Sequence, residues 1–125
     1  MKYRIWDKNS GYFIKDSDTN KHYLSQNGDI IIVDEMGDIY KTDKKNYIIN
    51  EYTGLKDIED YEIYEDDIVW NEWDEEYQVV IFDDGKYKLM GESHIQSLYN
   101  NLYYLDIQGN IYENFELVKA WYKEE

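Results

Sequence analysis

Carboxylates are the most numerous side chains in this chain that could bind a cation or transfer a proton. Three clusters fall within residues 57–85: Glu65, Asp66 and Asp67; Asp74, Glu75 and Glu76; and Asp83 and Asp84. Hard cations need several carboxylate oxygens that converge from a rigid frame, whereas neighbouring residues on a strand point to opposite faces. The segment also has no Lys or His to handle protons or charge. We therefore predict solvated acid, with no metal ligands and no cofactor. A metal-dependent enzyme is the alternative.

Other catalytic patterns find little support. His22 and His94 each stand alone between polar neighbours, where a histidine is usually structural. No serine sits in a Gly-x-Ser-x-Gly turn, and no lysine ends a phosphate-binding glycine-rich loop. Residues 16–20 begin like a calcium-binding loop, but Lys21 replaces the required glycine and Asn27 stands where a glutamate should close the site. We expect no enzyme activity and no catalytic residues.

The negative charge is concentrated in one segment. The chain has 28 acidic and 13 basic residues, a net charge of −15, and residues 57–85 hold 13 of the acids and no Lys or Arg. The other 96 residues carry 15 acids and 13 bases, which leaves a balance of −2. Direct nucleic-acid binding is therefore not expected, because phosphate contacts need Lys and Arg. The segment either keeps the domain soluble or imitates DNA.

Aromatic side chains indicate a binding surface. The chain has 15 Tyr and 4 Trp against 3 Phe, and Tyr and Trp suit half-buried sheet faces and interfaces. We predict a partner-binding surface over residues 57–84, in which Trp70 and Trp73 act as anchors beside the clusters at Glu65, Asp66 and Asp67 and at Asp74, Glu75 and Glu76. The absence of Cys fits a reducing compartment. No apolar run could span a bilayer, and the N-terminus lacks a signal-peptide core. We expect a cytoplasmic protein.

Short strands that end at Gly, Asn or Asp must position these residues. The length of 125 residues predicts one domain, residues 1–125. Predicted strands are Tyr3–Asp7, Ile30–Val33, Ile39–Thr42, Tyr47–Tyr52, Asp67–Trp70 and Tyr77–Phe82, with Lys86–Met90 as the hairpin partner of the last. We expect a helical turn or loop at Ser93–Asn100, a strand at Leu102–Ile107 and a short helix at Phe115–Trp121 capped by Asn114. The fold class is mainly β, a small barrel-like or sandwich domain with hairpins and at most one or two short helices.

Three stretches of the chain resemble the YopX family, small proteins encoded by bacteriophages and prophages. They are Tyr3–Asp7, with Trp6 before its final Asp; Tyr52, Thr53, Gly54, Leu55, Lys56 and Asp57 followed by Glu62–Val69, which includes Asp67; and Gly109, Asn110, Ile111, Tyr112, Glu113 and Asn114, with Glu116 and Leu117 after them. The resemblance implies a predominantly β fold, a protein of the bacterial host cell, and self-association into a homo-oligomer. It brings no activity and no catalytic residues.

The chain departs from that family's usual pattern at three places. Residues 58–61 replace a turn like Lys-Asn-Gly-Lys, Asp66 stands where the family has Gly, and Phe115 stands where it has Pro. The first change removes basic residues and creates part of the acidic segment. The fold assignment is unaffected, but the acidic surface is then a property of this chain rather than of the family.

These observations favour a non-enzymatic phage accessory protein that binds an unidentified host or phage protein through an acidic, tyrosine-rich surface. A metal-dependent enzyme using the carboxylate clusters is one alternative. An oligomeric structural or assembly protein that buries its tyrosines is another.

Overall fold

The computed structural model describes residues 2–15 and 20–123. Most of the stretch that begins like a calcium loop, residues 16–19, therefore lies outside the described residues. Strands account for 51% and helical turns for 10%, so the mainly β prediction is confirmed. In the described ranges the helical elements are 3-10 turns at Lys44–Asn46, Tyr99–Tyr104 and Phe115–Leu117. None of these has the length and apolar composition to cross a bilayer.

The chain divides into two compact units. One, the N-terminal unit, is Arg4–Ile49; the other, the C-terminal unit, comprises Asn50–Glu125 together with Met1–Tyr3. The single-domain interpretation of the sequence stays a prediction.

The N-terminal unit consists of short antiparallel hairpins. Its strands are β1 (Tyr3–Asp7), whose first residue belongs to the C-terminal unit, β2 (Tyr12–Phe13), β3 (Asn20–Leu24), β4 (Ile30–Asp34) and β5 (Ile39–Lys41). β1 pairs with β2, so that Trp6 lies opposite Phe13, while β3, β4 and β5 form a three-stranded meander. Ile30 is fully buried at the start of β4. The Gly and Asn residues between these strands are the turn signals that the sequence offered.

The C-terminal unit is built around a five-stranded antiparallel sheet. Its strands are β6 (Tyr47–Lys56), which begins in the N-terminal unit, β7 (Glu62–Tyr64), β8 (Asp67–Asn71), β9 (Glu76–Asp83), β10 (Lys86–Met90), β11 (Ile95–Ser97) and β12 (Leu105–Asn110). The order in the sheet is β11-β10-β9-β8-β12. β6 and β7 pair separately, with Tyr52 opposite Tyr64 and an irregularity before Lys56.

Apolar side chains cover both faces of this sheet. Successive residues of a strand point to opposite faces, and Ile68 and Val69 of β8 accordingly belong to different clusters. Val69 packs with Ile63, Val80, Leu89, Leu98 and Leu105. Ile68 packs with Val79, Ile111 and Val118. All but Ile111 and Val118 are completely inaccessible, which makes β8 and β9 the rigid centre of the unit.

Some expected boundaries in the last third were wrong. Residues 95–97 form strand β11 rather than a helical turn, and β12 begins at Leu105 rather than Leu102. The helix expected at Phe115–Trp121 is only a 3-10 turn at Phe115–Leu117. Asn114 does not cap it, because its side-chain oxygen accepts a hydrogen bond from the backbone N–H of Asn110 instead. A turn at Glu65 and Asp66 separates β7 from β8, and β8 begins at Asp67 as predicted.

Candidate partner-binding surface

The 3-10 turn between β11 and β12 presents two tyrosines to solvent. Leu98 is buried, and Leu102, four residues on, packs against the same core. The opposite side of the turn carries Tyr99, which is 71% exposed, and Tyr103, which is 86% exposed. The turn is fixed at its start, where Asn101 Nδ2 donates to a backbone oxygen at 2.7 Å. The exposed rings therefore stand on a rigid base.

A buried carboxylate places an aliphatic residue beside these tyrosines. Asp57, after β6, accepts hydrogen bonds at 2.9 Å each from the backbone N–H groups of Glu59 and Tyr61 through Oδ1, and of Ile107 through Oδ2. The first two bonds form the turn, and the third joins it to β12. Ile58 lies on this turn and is 54% exposed. Asp57 is thus structural, although the sequence placed it in the acidic surface.

The hairpin turn between β8 and β9 adds tryptophan. Asn71 is fully buried, and its Oδ1 accepts from the backbone N–H groups of Trp73 at 3.0 Å and Asp74 at 3.1 Å. Trp73 is 72% exposed, with its ring centroid 5.5 Å from that of Tyr104. Trp70 is half-buried and meets Tyr77 edge to face at 5.0 Å. Of the two predicted anchors, Trp73 is therefore the one that solvent reaches freely.

Two open grooves run among these side chains. The first has a volume of about 820 Å³, and the second about 370 Å³. Ile58 and Tyr103 line both grooves, and the second groove is also bordered by the acidic residues Glu72 and Asp106. We call the aromatic surface the groove-lining residues Ile58, Tyr99, Tyr103 and Tyr104 together with Trp73, whose ring packs against Tyr104. The sequence prediction named Trp73, and its range included Ile58 without singling it out. It missed the tyrosines, for which three tyrosines in the six residues 99–104 were the available signal.

The first predicted acidic cluster is largely structural. Asp67 is 2% exposed and accepts from the backbone N–H of Tyr64 at 2.7 Å. Asp66 has a positive φ of 70°, and its Oδ2 accepts from Tyr112 Oη and, at 3.1 Å, from Asn50 Nδ2. Positive φ explains why a glycine would suit position 66. Glu65 is partly buried, and this burial, with the charges of Asp66 and Glu51, raises its pKa.

The second cluster converges with a residue that the sequence did not connect to it. Asp74 and Glu76 are half-buried, and Glu75 between them is exposed. Gln78, which is completely inaccessible, donates through Nε2 to Asp74 Oδ2 and to Glu76 Oε1, both at 2.8 Å. His94 Nε2 lies 3.5 Å from Asp74 Oδ2. Asp74, Glu76 and His94 each bring a ligand atom to within 4.8 Å of the other two.

Amide groups set the electrostatics of Asp74. Gln78 is the main cause that lowers its pKa, and Gln96, which donates to the same oxygen at 2.5 Å, and His94 act in the same direction. Burial of Asp74 raises its pKa and so opposes these three side chains, but the net effect is a lowered pKa. The hydrogen bonds favour the ionised form because they are made to the charged oxygen.

The family-motif residues make structural contacts. Trp6 is 8% exposed and meets Phe13 edge to face. The ring of Tyr52 lies 5.4 Å from that of Tyr64. Thr53 Oγ1 donates to the Ile63 carbonyl at 2.7 Å, which ties β6 to β7. Gly54 and Leu55 follow in the same strand, where the register shifts, and Leu55 packs against the core.

The last motif is a loop held by side-chain oxygens that accept hydrogen bonds from backbone N–H groups. Asn110 Oδ1 accepts from the backbone N–H groups of Tyr112 and Glu113, both at 3.0 Å. A Cβ at Gly109 would lie 2.0 Å from Asn114 Oδ1, so only glycine leaves room for the Asn114 side chain. Gly109 and Asn114 therefore work as a pair.

The fold defines a class of small, mainly β proteins assembled from antiparallel hairpins. The YopX protein family model matches residues 2–119, and the chain belongs to this family. Two solved structures are similar. YopX from Bacillus subtilis is 19% identical, with a TM-score of 0.62, and protein EF1440 from Enterococcus faecalis is 23% identical, with a TM-score of 0.65. Each match covers 93% of this chain and 96% of the other. No curated protein matches the chain.

Proposed function

We propose that this chain is a non-enzymatic binding protein that recognises a partner protein through its aromatic surface. One observation carries the proposal: Ile58 and Tyr103 line two grooves at once, beside further exposed rings. Large apolar side chains that a rigid fold leaves in contact with water are typical of interaction sites. Tyr and Trp are also the residues that most often dominate binding energy.

The partner that fits this surface is a positively charged segment with apolar side chains. Glu72 and Asp106 border the second groove, and residues 57–85 carry no base. Lys56 borders the first groove beside Asp57, so the negative charge lies at the second groove. An arginine could stack on Tyr103 or Trp73 while it faces these carboxylates, since guanidinium groups bind aromatic faces and acids together. Complementary charge would speed association and make it depend on salt.

DNA mimicry is a less favoured version of the proposal. A mimic needs carboxylates displayed in a row at the surface, whereas Asp57 and Asp67 are buried and accept backbone hydrogen bonds. The aromatic surface instead favours a protein ligand that offers apolar contact as well as charge. We place this activity in the cytoplasm of a bacterial host, as an accessory function of a phage or prophage.

Selection from a displayed random-peptide library tests the proposal. The purified chain should enrich peptides that combine Arg or Lys with apolar residues, and binding of a synthetic enriched peptide should weaken steeply with salt. Tyr103→Ser should reduce affinity by about tenfold or more, because truncating a central anchor commonly costs 2 kcal/mol or more. Tyr12→Ser is the matched control, since Tyr12 is 61% exposed but lies in the N-terminal unit.

Three outcomes would contradict the proposal. They are enrichment of no common peptide, equal loss with both tyrosine variants, and affinity that does not change between low and high salt. Light scattering of the free chain tests the alternative occupant, a second copy: a concentration-dependent dimer that Tyr103→Ser abolishes would assign the aromatic surface to self-association.

A further inference from the structure

We propose that Asp74, Glu76 and His94 form a binding site for a first-row divalent cation, with Zn²⁺ the best fit. This site is separate from the aromatic surface and does not depend on the proposed function. It also departs from the expectation drawn from sequence, because the needed nitrogen ligand comes from outside the acidic segment. The hairpin between β10 and β11, closed by the bond from Gly91 N to the His94 carbonyl at 2.9 Å, brings His94 to the carboxylates.

The donor set indicates the class of metal. Two carboxylate oxygens and one imidazole nitrogen suit Zn²⁺ or Mn²⁺ better than Ca²⁺ or Mg²⁺, which prefer all-oxygen sites. Tetrahedral ligands at about 2.1 Å from Zn²⁺ lie about 3.4 Å from one another. His94 Nε2 and Asp74 Oδ2 already lie 3.5 Å apart, and Glu76 completes a group whose ligand atoms are all within 4.8 Å.

Buried amides hold the two carboxylates side by side. Gln78 donates to both from a completely inaccessible position, and Asn71, equally inaccessible, donates to Asp74 Oδ2 at 3.2 Å. Such partners fix the orientation of ligands in metal sites. Gln96 Nε2 also donates to Asp74 Oδ2, at 2.5 Å, and to Gln78 Oε1, at 3.4 Å.

An independent observation comes from the residue that faces Glu76. A Cβ at Gly91 would lie 2.1 Å from Glu76 Oε1. Gly91 is the one glycine of the seven whose φ is not positive, so its backbone conformation does not call for glycine. The missing side chain instead leaves room for the Glu76 carboxylate and the Gln78 amide, so it fixes where the Glu76 ligand atom can lie.

The charge balance favours a cation. Within the described part of the chain, Asp74 has one ion-pair partner, His94. In the same residues, no Lys, Arg or His forms an ion pair with Glu76. Two like charges held a few ångströms apart repel each other, and the amides of Asn71, Gln78 and Gln96 offset this repulsion with dipoles but supply no positive charge. A divalent cation would supply it while keeping both groups ionised.

Isothermal titration calorimetry of the full chain with ZnCl2 tests this site. We expect one Zn²⁺ per chain. His94→Gln should raise the dissociation constant by about 100-fold, because loss of a side chain that merely orients a metal ligand can already cost that much. His94 is an exposed residue, so this variant should fold normally. Glu76→Gln should weaken binding similarly. Glu75→Gln is the matched control: it removes the same charge from the neighbouring exposed residue and should leave binding unchanged.

Nuclear magnetic resonance supplies a second readout without any substitution. The chain has only two histidines, His22 and His94, so their ring protons can be distinguished. Substoichiometric MnCl2 should broaden the His94 signals while those of His22 stay sharp. Equal broadening of both would overturn the proposal, as would no Zn²⁺ uptake at millimolar concentration. So would equal weakening by Glu75→Gln and Glu76→Gln, because that pattern indicates diffuse attraction to an acidic chain.

Discussion

Replacement of Asp57 by Ala should unfold the turn that presents Ile58. The carboxylate accepts three backbone hydrogen bonds, from Glu59, Tyr61 and Ile107, and it is 7% exposed. Hydrogen bonds to a charged acceptor contribute about 1.5–3 kcal/mol each, so the three together set an upper range of about 4.5–9 kcal/mol. Glu59 and Tyr61 are exposed, and water can replace their lost partners. We therefore expect a loss of at least about 3 kcal/mol in the free energy of unfolding.

Urea unfolding followed by tryptophan fluorescence measures this loss. For a chain of this size, about 3 kcal/mol corresponds to a fall in Tm of roughly 10 °C. The free energy of unfolding of Asp57→Asn should lie between those of wild type and Asp57→Ala. The asparagine keeps one acceptor oxygen, but its amide N–H points toward a backbone N–H. Glu59→Ala, an exposed acid in the same turn, is the control and should change stability by less than about 0.5 kcal/mol. A loss below about 1 kcal/mol for Asp57→Ala would refute the structural role of this carboxylate.

Three further perturbations test other parts of the structure. Asp60 has a φ of 68°, so Asp60→Gly should stabilise the chain by about 0.5 kcal/mol in urea unfolding, with relief of backbone strain exceeding the added freedom of the unfolded chain. Burial raises the pKa of Glu65, so the folded chain favours the protonated carboxyl and loses stability as pH rises through that pKa. Glu65→Gln, which stays neutral, should therefore raise Tm at pH 7. This gain should vanish below the ordinary glutamate pKa, where Glu65 is protonated in both the folded and the unfolded chain. Burial and the hydrogen bond to Glu51 raise the pKa of Tyr87 to about 12, so its favourable contribution is complete below about pH 10 and is lost as pH rises toward 12. Tyr87→Phe should delete the tyrosinate absorbance that appears last in an alkaline titration, and an unchanged titration would contradict the assignment.

The strands could be predicted because their signals are local. Alternation and β-branched residues identify β8 and β9, and Asp84-Gly85 marks the turn into β10. The 3-10 turn at Tyr99–Tyr104 was harder, because Leu98 and Leu102 have a spacing that fits a helix as well as a turn on a core. At Asn114 a capping residue was expected, but its side-chain oxygen instead accepts a hydrogen bond from the backbone N–H of Asn110, four residues earlier. One local side-chain hydrogen bond there replaces another.

The candidate sites depend on pairings that a single sequence does not specify. Asp74 and His94 are 20 residues apart, and they meet only because β9, β10 and β11 pair in one register. A shift of one residue would send the side chains of β11 to the other face. Likewise, Ile58 reaches Tyr103 because Asp57 bonds to Ile107, 50 residues away. Composition indicated that acids and aromatics matter but could not sort buried acids from exposed ones.

The buried side chain of Asn71 holds two neighbouring residues with one oxygen, Trp73 on the aromatic surface and Asp74 at the proposed cation site. Two ligands that act on one shared turn are thermodynamically linked. If a bound cation stiffens this turn, it changes the affinity of a partner at Trp73 by some factor, and the partner must then change the affinity for the cation by the same factor. A titration of either ligand in the presence of the other would measure that coupling directly, and Asn71→Ala should remove it.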